Sequence, residues 1–211
     1  MKTELLALVL LMVGFGGSPC HKEKETCTLI TTGTQTFMDK NLVVVTYRNG
    51  DVIPQVTDQT AWASLTTGAW CHYNNDPAND TIYGKLYNWY AVNDPRGLAP
   101  EGWHIPSNAE WTILSTFLGG ASVAGGKMKS TGTSRWDSPN FGATNESGFA
   151  GLPGNTRYNN IGIFGDLGSF GFWWSAEEGW YNVLESRNEQ LRTAFADNKE
   201  SGYSVRCLKD S

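Results

Sequence analysis

Between residues 119 and 171 a glycine or an asparagine recurs every few positions, leaving only short patterned pieces such as GFAGLPG and GIFGDLG. No 3.6-residue apolar rhythm survives there, so the middle of the chain has to fold as turns and loops. Loops need something to hold them. The composition offers it: 24 Gly accompany 9 Trp, 8 Tyr and 9 Phe, which suits turns pinned by large flat side chains. At 211 residues the chain can bury one sound core, and no internal repeat or long linker divides it. With 18% charged residues, a net charge of −5 and no Lys/Arg run, a phosphate-backbone binder is excluded and no nucleic-acid partner is expected.

Regular elements are signalled on either side of this stretch. Ser107-Asn108-Ala109-Glu110 is a capping box, in which the Ser hydroxyl takes the third amide and the Glu carboxylate reaches back. It predicts a helix over residues 108–118, with Trp111, Leu114, Phe117 and Leu118 as its apolar stripe and Gly119-Gly120 as its end. Leu86, Trp89 and Tyr90 at helical spacing, flanked by Val92, predict another helix over residues 83–93, stopped by Pro95. Residues 42–47 read as a β-branched strand. Arg48-Asn49-Gly50-Asp51 turns it back into a second strand over residues 52–56, making a hairpin. Residues 172–176 and 202–208 read as strands, the latter closing the fold, and the polar alternation of residues 177–201 suits exposed strands or loops.

The first nineteen residues have the form of an export signal of lipoprotein type. Lys2 precedes the apolar run LLALVLLMVGF, and Gly16, Gly17, Ser18 and Pro19 lead to Cys20. Acylation of Cys20 would anchor the protein to a membrane and place it in the cell envelope, at the outer membrane or cell surface. Residues 20–36 then form a polar tether or a first edge strand, and residues 37–211 the domain. An exported chain can keep disulfides. Cys71 and Cys207 both sit in well-patterned segments and are the expected pair, with Cys27 unpaired; the alternative, Cys20 with Cys27, would mean no lipid anchor. Spacing does not choose between them, and no CxxC or Cys/His cluster of zinc-site spacing occurs.

A colinear series of motifs runs through most of the chain: YRNGDVIPQVTDQTAW, TTGAWCHYNND, YGKLYNWYAVND, LAPEGWHIPSNAEW, LGG with AGGKMKSTGT, ATNESGFAGLPGN, FWWSA and SVRCLKD. From about Lys40 to Asp210 this series resembles the Fibrobacter succinogenes major paralogous domain, a bacterial exported-protein module. That family is similar in turn to C-type-lectin-like domains and to the formylglycine-generating, sulfatase-modifying group, where a segment like RLPTEAEWE takes the place of HIPSNAEW. The resemblance implies an α+β domain of C-type-lectin-like fold. Two helices would surround a small antiparallel sheet, the terminal strands would lie together, and long loops would occupy one side. It also implies a scaffold for ligand-binding loops, which in some members is varied near the C-terminus by diversity-generating retroelements.

Candidate sites follow from this frame. His104 and Glu110 suggest acid–base chemistry, but the capping box accounts for Glu110 and the turn at Trp103 and Pro106 for His104, so a structural role is expected. His72 and His21 have no partners at ligand spacing. The copper oxidases of the sulfatase-modifying group need reactive cysteines late in the chain, and here only Cys207 is late. Calcium needs several converging oxygens; the Glu-Pro-Asn and Trp-Asn-Asp triplets of sugar-binding lectins are absent. Asn74, Asn75, Asp76 and Asp80, and Asn145 with Glu146, form oxygen-rich loops that read first as turn caps. No cofactor is expected, a structural calcium ion alone being left open.

The strongest binding candidate lies between FWWSA and YSVRC, where Trp180, Tyr181, Asn182, Glu185, Arg187, Asn188, Gln190, Arg192, Phe195, Asp197 and Asn198 combine aromatic, Arg and amide groups. Trp173, Trp174 and Val205 read as core. The expected function is a non-enzymatic surface protein presenting this face to a protein or glycan ligand. The alternatives are an enzyme of the sulfatase-modifying type and a structural envelope module.

Overall fold

The computed structural model describes residues 28–165, 167–195 and 197–211. The export segment, Cys20, His21 and Cys27 lie outside the described residues.

The chain opens with a hairpin, β1 (Leu29–Thr32) and β2 (Gln35–Met38). Helix α1 (Gln59–Ala63) follows, its N-terminus held by Asp58, which accepts from the Ala61 amide at 2.7 Å. Then come β3 (Trp70–Cys71), α2 (Asp80–Tyr83), β4 (Leu86–Tyr87), α3 (Trp89–Val92) and β5 (Trp103–His104). The two longest helices, α4 (Asn108–Phe117) and α5 (Ala121–Met128), are consecutive. Strands β6 (Phe170–Trp174), β7 (Trp180–Glu185), β8 (Arg192–Phe195) and β9 (Leu208–Lys209) complete an α+β architecture.

The strands form small antiparallel sheets. One has the order β1-β2-β9-β5 and brings the two ends of the domain together; β3 pairs with β4, and β6-β7-β8 form a third. Single bridges from Tyr203 to Tyr87 and from Ser204 to Trp173 link β4 to β6. Successive strand residues face opposite sides, so the β6–β7–β8 sheet separates two cores. Trp173 and Leu184 enter one, with Phe37, Trp111, Trp136 and Phe149. Trp174 enters the other, with Trp89, Trp103, Tyr203 and Val205. Trp173, Trp174 and Val205 are thus core residues, as their pattern predicts. Edge-to-face contacts at 5.6 Å for Phe149 and Trp173 and 5.5 Å for Trp89 and Trp174 add about 1 kcal/mol each beyond burial.

Loops expose backbone carbonyls that no ladder satisfies, and a buried carbonyl must find a donor. Three buried cations supply many. Arg157, fully buried, donates to the carbonyls of Val56, Thr57, Asp58 and Gly162 at 2.6–3.0 Å. Lys129, also fully buried, donates to Phe141, Glu185 and Asn188 at 2.8–2.9 Å. Arg206 donates to the Met38 and Phe149 carbonyls at 3.1 and 2.8 Å and to Asn41 Oδ1 at 3.0 Å.

Several expectations are met and others are not. The capping box forms: Glu110 N donates to Ser107 Oγ at 3.3 Å and Ser107 N to Glu110 Oε2 at 2.8 Å, and α4 ends within a residue of the predicted position. The single helix expected over residues 83–93 is broken into α2, β4 and α3. Gly84 leaves the helical region with φ of 73°. Buried Asn88 then starts a new turn, its Oδ1 accepting from the Ala69 and Ala91 amides. The hairpin over residues 42–56 keeps its turn but only one bridge, Thr46 to Val52. Leu42 instead bonds to Val205 and Lys85, which removes it from a ladder with residues 52–56. The closing strand over residues 202–208 is isolated bridges followed by β9. Residues 29–36, part of the expected tether or edge strand, form the edge hairpin β1–β2.

Helix α5 was not expected within the glycine-rich stretch. Its Gly125 and Gly126 let the helix touch the β7–β8 turn: a Cβ at Gly125 would lie 2.1 Å from the Gln190 carbonyl oxygen, and one at Gly126 2.4 Å from that of Gly142. The glycines are there for close approach, at the expense of helix propensity.

The expected Cys71–Cys207 disulfide is absent. Both residues are buried free thiols in different apolar clusters, Cys71 with Trp62, Tyr73 and Leu86, and Cys207 with Trp103 and Val205. Each fills a core position as a small apolar side chain.

Candidate ligand-binding face

The β7–β8 hairpin carries most of the residues singled out between FWWSA and YSVRC. Register pairs Trp180 with Phe195, Tyr181 with Ala194, Asn182 with Thr193 and Val183 with Arg192. Trp180 and Phe195 therefore share one face at the open end of the hairpin. Their ring centroids are 5.6 Å apart and they are 37% and 56% exposed. Arg187, Gln190, Arg192, Asp197 and Asn198 are exposed as well.

The other predicted residues serve the scaffold. Asn182 is fully buried, donating to Ser175 Oγ at 3.0 Å and accepting from Thr193 Oγ1 at 2.8 Å. Tyr181 packs on Tyr203 at 4.8 Å and on Phe172 at 6.0 Å. Glu185 accepts from Asn188 Nδ2 at 2.6 Å, and Asn188 Oδ1 accepts from the Gln190 amide at 3.0 Å, so these two shape the turn between the strands. Asn182 as a ligand contact is corrected outright: it shares the side of β7 that carries Trp180, but it lies further in from the open end, where it is fully buried between Ser175 and Thr193.

What fixes the hairpin went unseen in the sequence. The Lys129 ammonium holds the Glu185 and Asn188 carbonyls from beneath. Gly126 N donates to Glu189 O at 2.9 Å, and Leu191 N to Ala121 O at 2.8 Å. Burial pulls the Lys129 pKa down to about 8. A lysine between Met128 and Ser130 carries no pattern that announces this role.

The remaining candidates resolve into packing and turn chemistry. Asp76 Oδ1 accepts from the Ala78 amide, and Asn74 and Asn75 adopt left-handed turn conformations. Asp80 bonds His72 Nδ1 at 2.7 Å and pairs with Lys85, whose ammonium lies 4.4 Å from the Trp70 ring centroid. His72 thus has a carboxylate partner eight residues away that spacing did not reveal. Asn145 Oδ1 accepts from the Ala150 amide at 2.8 Å, and Glu146 pairs with Lys127. No group of three or more His, Cys, Asp or Glu side chains suited to a metal ion occurs among the described residues.

His104 lies between two carboxylates, with Nε2 2.8 Å from Glu110 Oε1 and Nδ1 2.7 Å from Asp210 Oδ1. Glu110 is also bonded to Ser107, so its carboxylate is committed to the helix cap. A groove of about 490 Å³ runs over Arg157 between Gln59, Asn74, Asn75 and Ile163. Arg157 spends its donors on the carbonyls around it.

Burial pushes both the Cys71 and Cys207 thiols up to about 12, far from the range of a reactive thiolate. No helix among the described residues is long and apolar enough to cross a membrane.

No curated protein and no solved structure matches the chain significantly. The model of the Fibrobacter succinogenes major domain matches residues 30–209, nearly all of the chain, which belongs to that family.

Proposed function

We propose that the chain is a non-enzymatic, exported surface protein that presents the β7–β8 hairpin to a protein or glycan ligand on a C-type-lectin-like scaffold. The observation that carries this reading is the division of labour along the hairpin. Its backbone is clamped by Lys129 and α5, while Trp180, Arg187, Arg192 and Phe195 project into solvent. Aromatic and Arg side chains on a rigid platform are the usual anchors of recognition. Retroelement diversification, where it operates, would vary these outward positions and spare Asn182 and Asn188. The export segment and acylation of Cys20 would place the face outside the cell on a lipid anchor.

An enzyme of the sulfatase-modifying type is the weaker reading, because both described cysteines are buried with raised pKa values. The structural-module reading is the one that the binding experiment addresses.

The test is capture of the purified protein on arrayed glycans and on immobilised envelope proteins, compared with a Trp180→Ala/Arg192→Ala/Phe195→Ala variant. The variant should keep its far-UV spectrum and cooperative unfolding and lose binding at least tenfold. Binding that survives all three substitutions refutes the assigned face.

A further inference from the structure

The contact made by His104 has a chemical requirement. Both ring nitrogens face carboxylate oxygens at hydrogen-bond distance, Glu110 Oε1 at 2.8 Å and Asp210 Oδ1 at 2.7 Å. An ionised carboxylate only accepts, and a neutral imidazole has one N–H and one lone pair. With a neutral ring, one of these contacts would set a lone pair against an anion. Only the imidazolium donates to both sides.

The two carboxylates are not equally committed. Glu110 Oε2 is also held by Ser107 N and Ser107 Oγ, each at 2.8 Å, and it closes the N-terminus of α4. Asp210 lies just after β9, and its side chain is half exposed. Its backbone amide donates to Gly102 O at 3.0 Å, which ties the end of the chain to the turn before β5. Among the described residues strand β5 pairs only with β9, over Trp103 with Lys209 and His104 with Leu208.

We propose that His104 is a proton-operated clasp. As imidazolium it fastens the C-terminal end of the chain to helix α4, and on losing its proton it releases Asp210 while the α4 cap stays closed. The charged surroundings favour the closed form. Glu110 faces the ring from α4 and Asp210 from the end of β9. Glu177 bonds the Asn108 amide in the first turn of α4, and Glu101 and Lys209 flank the site in sequence and register. Arg48 donates to the neighbouring Trp103 carbonyl at 3.2 Å, and of all these groups Glu110 and Asp210 are the ones bonded to the ring. Burial opposes the charge on His104, but hydrogen bonds and charge from Asp210 and Glu110 outweigh it and raise its pKa.

For an exported protein this makes the end of the chain a sensor of external pH. Its role is independent of the ligand-binding reading. Release frees the Asp210 carboxylate and loosens the last pairs of β5 with β9, leaving the β7–β8 hairpin in place.

The experiment is a proton NMR titration of His104 in the intact protein and in Asp210→Asn and His104→Gln variants, with amide exchange of residues 208–211. The wild-type ring should titrate above the ordinary histidine value of about 6.5. Asp210→Asn should bring the midpoint down. Exchange protection of the Asp210 amide, corrected for intrinsic base catalysis, should fall through the same midpoint, while the Glu110 amide keeps its protection. In His104→Gln the Asp210 amide should be unprotected at every pH. A wild-type midpoint at or below the ordinary value overturns the proposal. So does a midpoint indifferent to Asp210→Asn, or tail protection that does not follow the titration.

Discussion

Replacing Gly125 by alanine sets two physical effects against each other. In an exposed helix interior the change stabilises by about 1 kcal/mol, through helix propensity alone. Here the new Cβ would lie 2.1 Å from the Gln190 carbonyl oxygen and 2.4 Å from its carbon, both backbone atoms. Relieving that overlap costs about 1–3 kcal/mol by the usual measure of overpacking. It also moves the β7–β8 turn away from α5. The bonds from Gly126 N to Glu189 O and from Leu191 N to Ala121 O then weaken, at about 1 kcal/mol each. The net expectation is a loss of roughly 2–4 kcal/mol, or about 5–15 °C in Tm for a domain of this size. Urea and thermal unfolding followed by circular dichroism measure it. Ser122→Ala on the exposed side of the same helix is the control and should stabilise by a few tenths of a kcal/mol, about the ordinary propensity gain. A Gly125→Ala protein as stable as wild type, or more so, would refute the claim that close approach put glycine there.

Lys129→Met keeps the volume but leaves three buried carbonyls without a donor; a loss of about 3–5 kcal/mol in urea unfolding is expected. Asn88→Ala removes bonds to Ala69 N, Ala91 N and Thr67 O at a fully buried position, and a loss of about 2–4 kcal/mol should appear in the same assay. Burial raises the Glu110 pKa, but its bonds with Ser107 and His104 prevail and lower it. Its contribution is therefore complete above the unfolded value of about 4.5 and vanishes as pH falls through the folded value. Glu110→Gln should accordingly flatten the acid limb of the stability profile. With Cys20 and Cys27 replaced by serine, the native protein should show no thiol titratable at neutral pH and two after unfolding. Native reactivity of Cys71 or Cys207 would contradict their burial.

The parts of the fold written in local chemistry were readable in advance. Ser107 and Glu110 satisfy each other within one turn, so α4 is specified by four consecutive residues. Phe172, Trp173 and Trp174 announce a buried strand, and the colinear motifs identify the family. What stayed hidden depends on distant partners. Gly125 and Gly126 look like helix breakers until Gln190 and Gly142 are seen against them. Leu86, Trp89 and Tyr90 have helical spacing, yet Asn88 is captured by the Ala69 amide and the helix restarts there. In the candidate site, composition marked a hairpin but could not tell Trp180, which projects, from Asn182, which is buried. The two stand on the same side of β7, and what separates them is depth along the hairpin: Trp180 is at the open end, and Asn182 is further in, beside Ser175 and Thr193. The two cysteines both sit in well-patterned segments, and patterning alone does not make two residues neighbours.

The cations Lys129, Arg157 and Arg206 hold this loop-rich chain mainly through carbonyl oxygens. A carbonyl belongs to every residue type, so such a grip is indifferent to the side chain at the position it holds. Thr57 or Phe141, both exposed, can be exchanged without removing the oxygen that is bound. The loops are thereby free to drift in sequence while their course is inherited. At these loops mutational tolerance falls to the held residues, and intolerance to the interior cations that hold them.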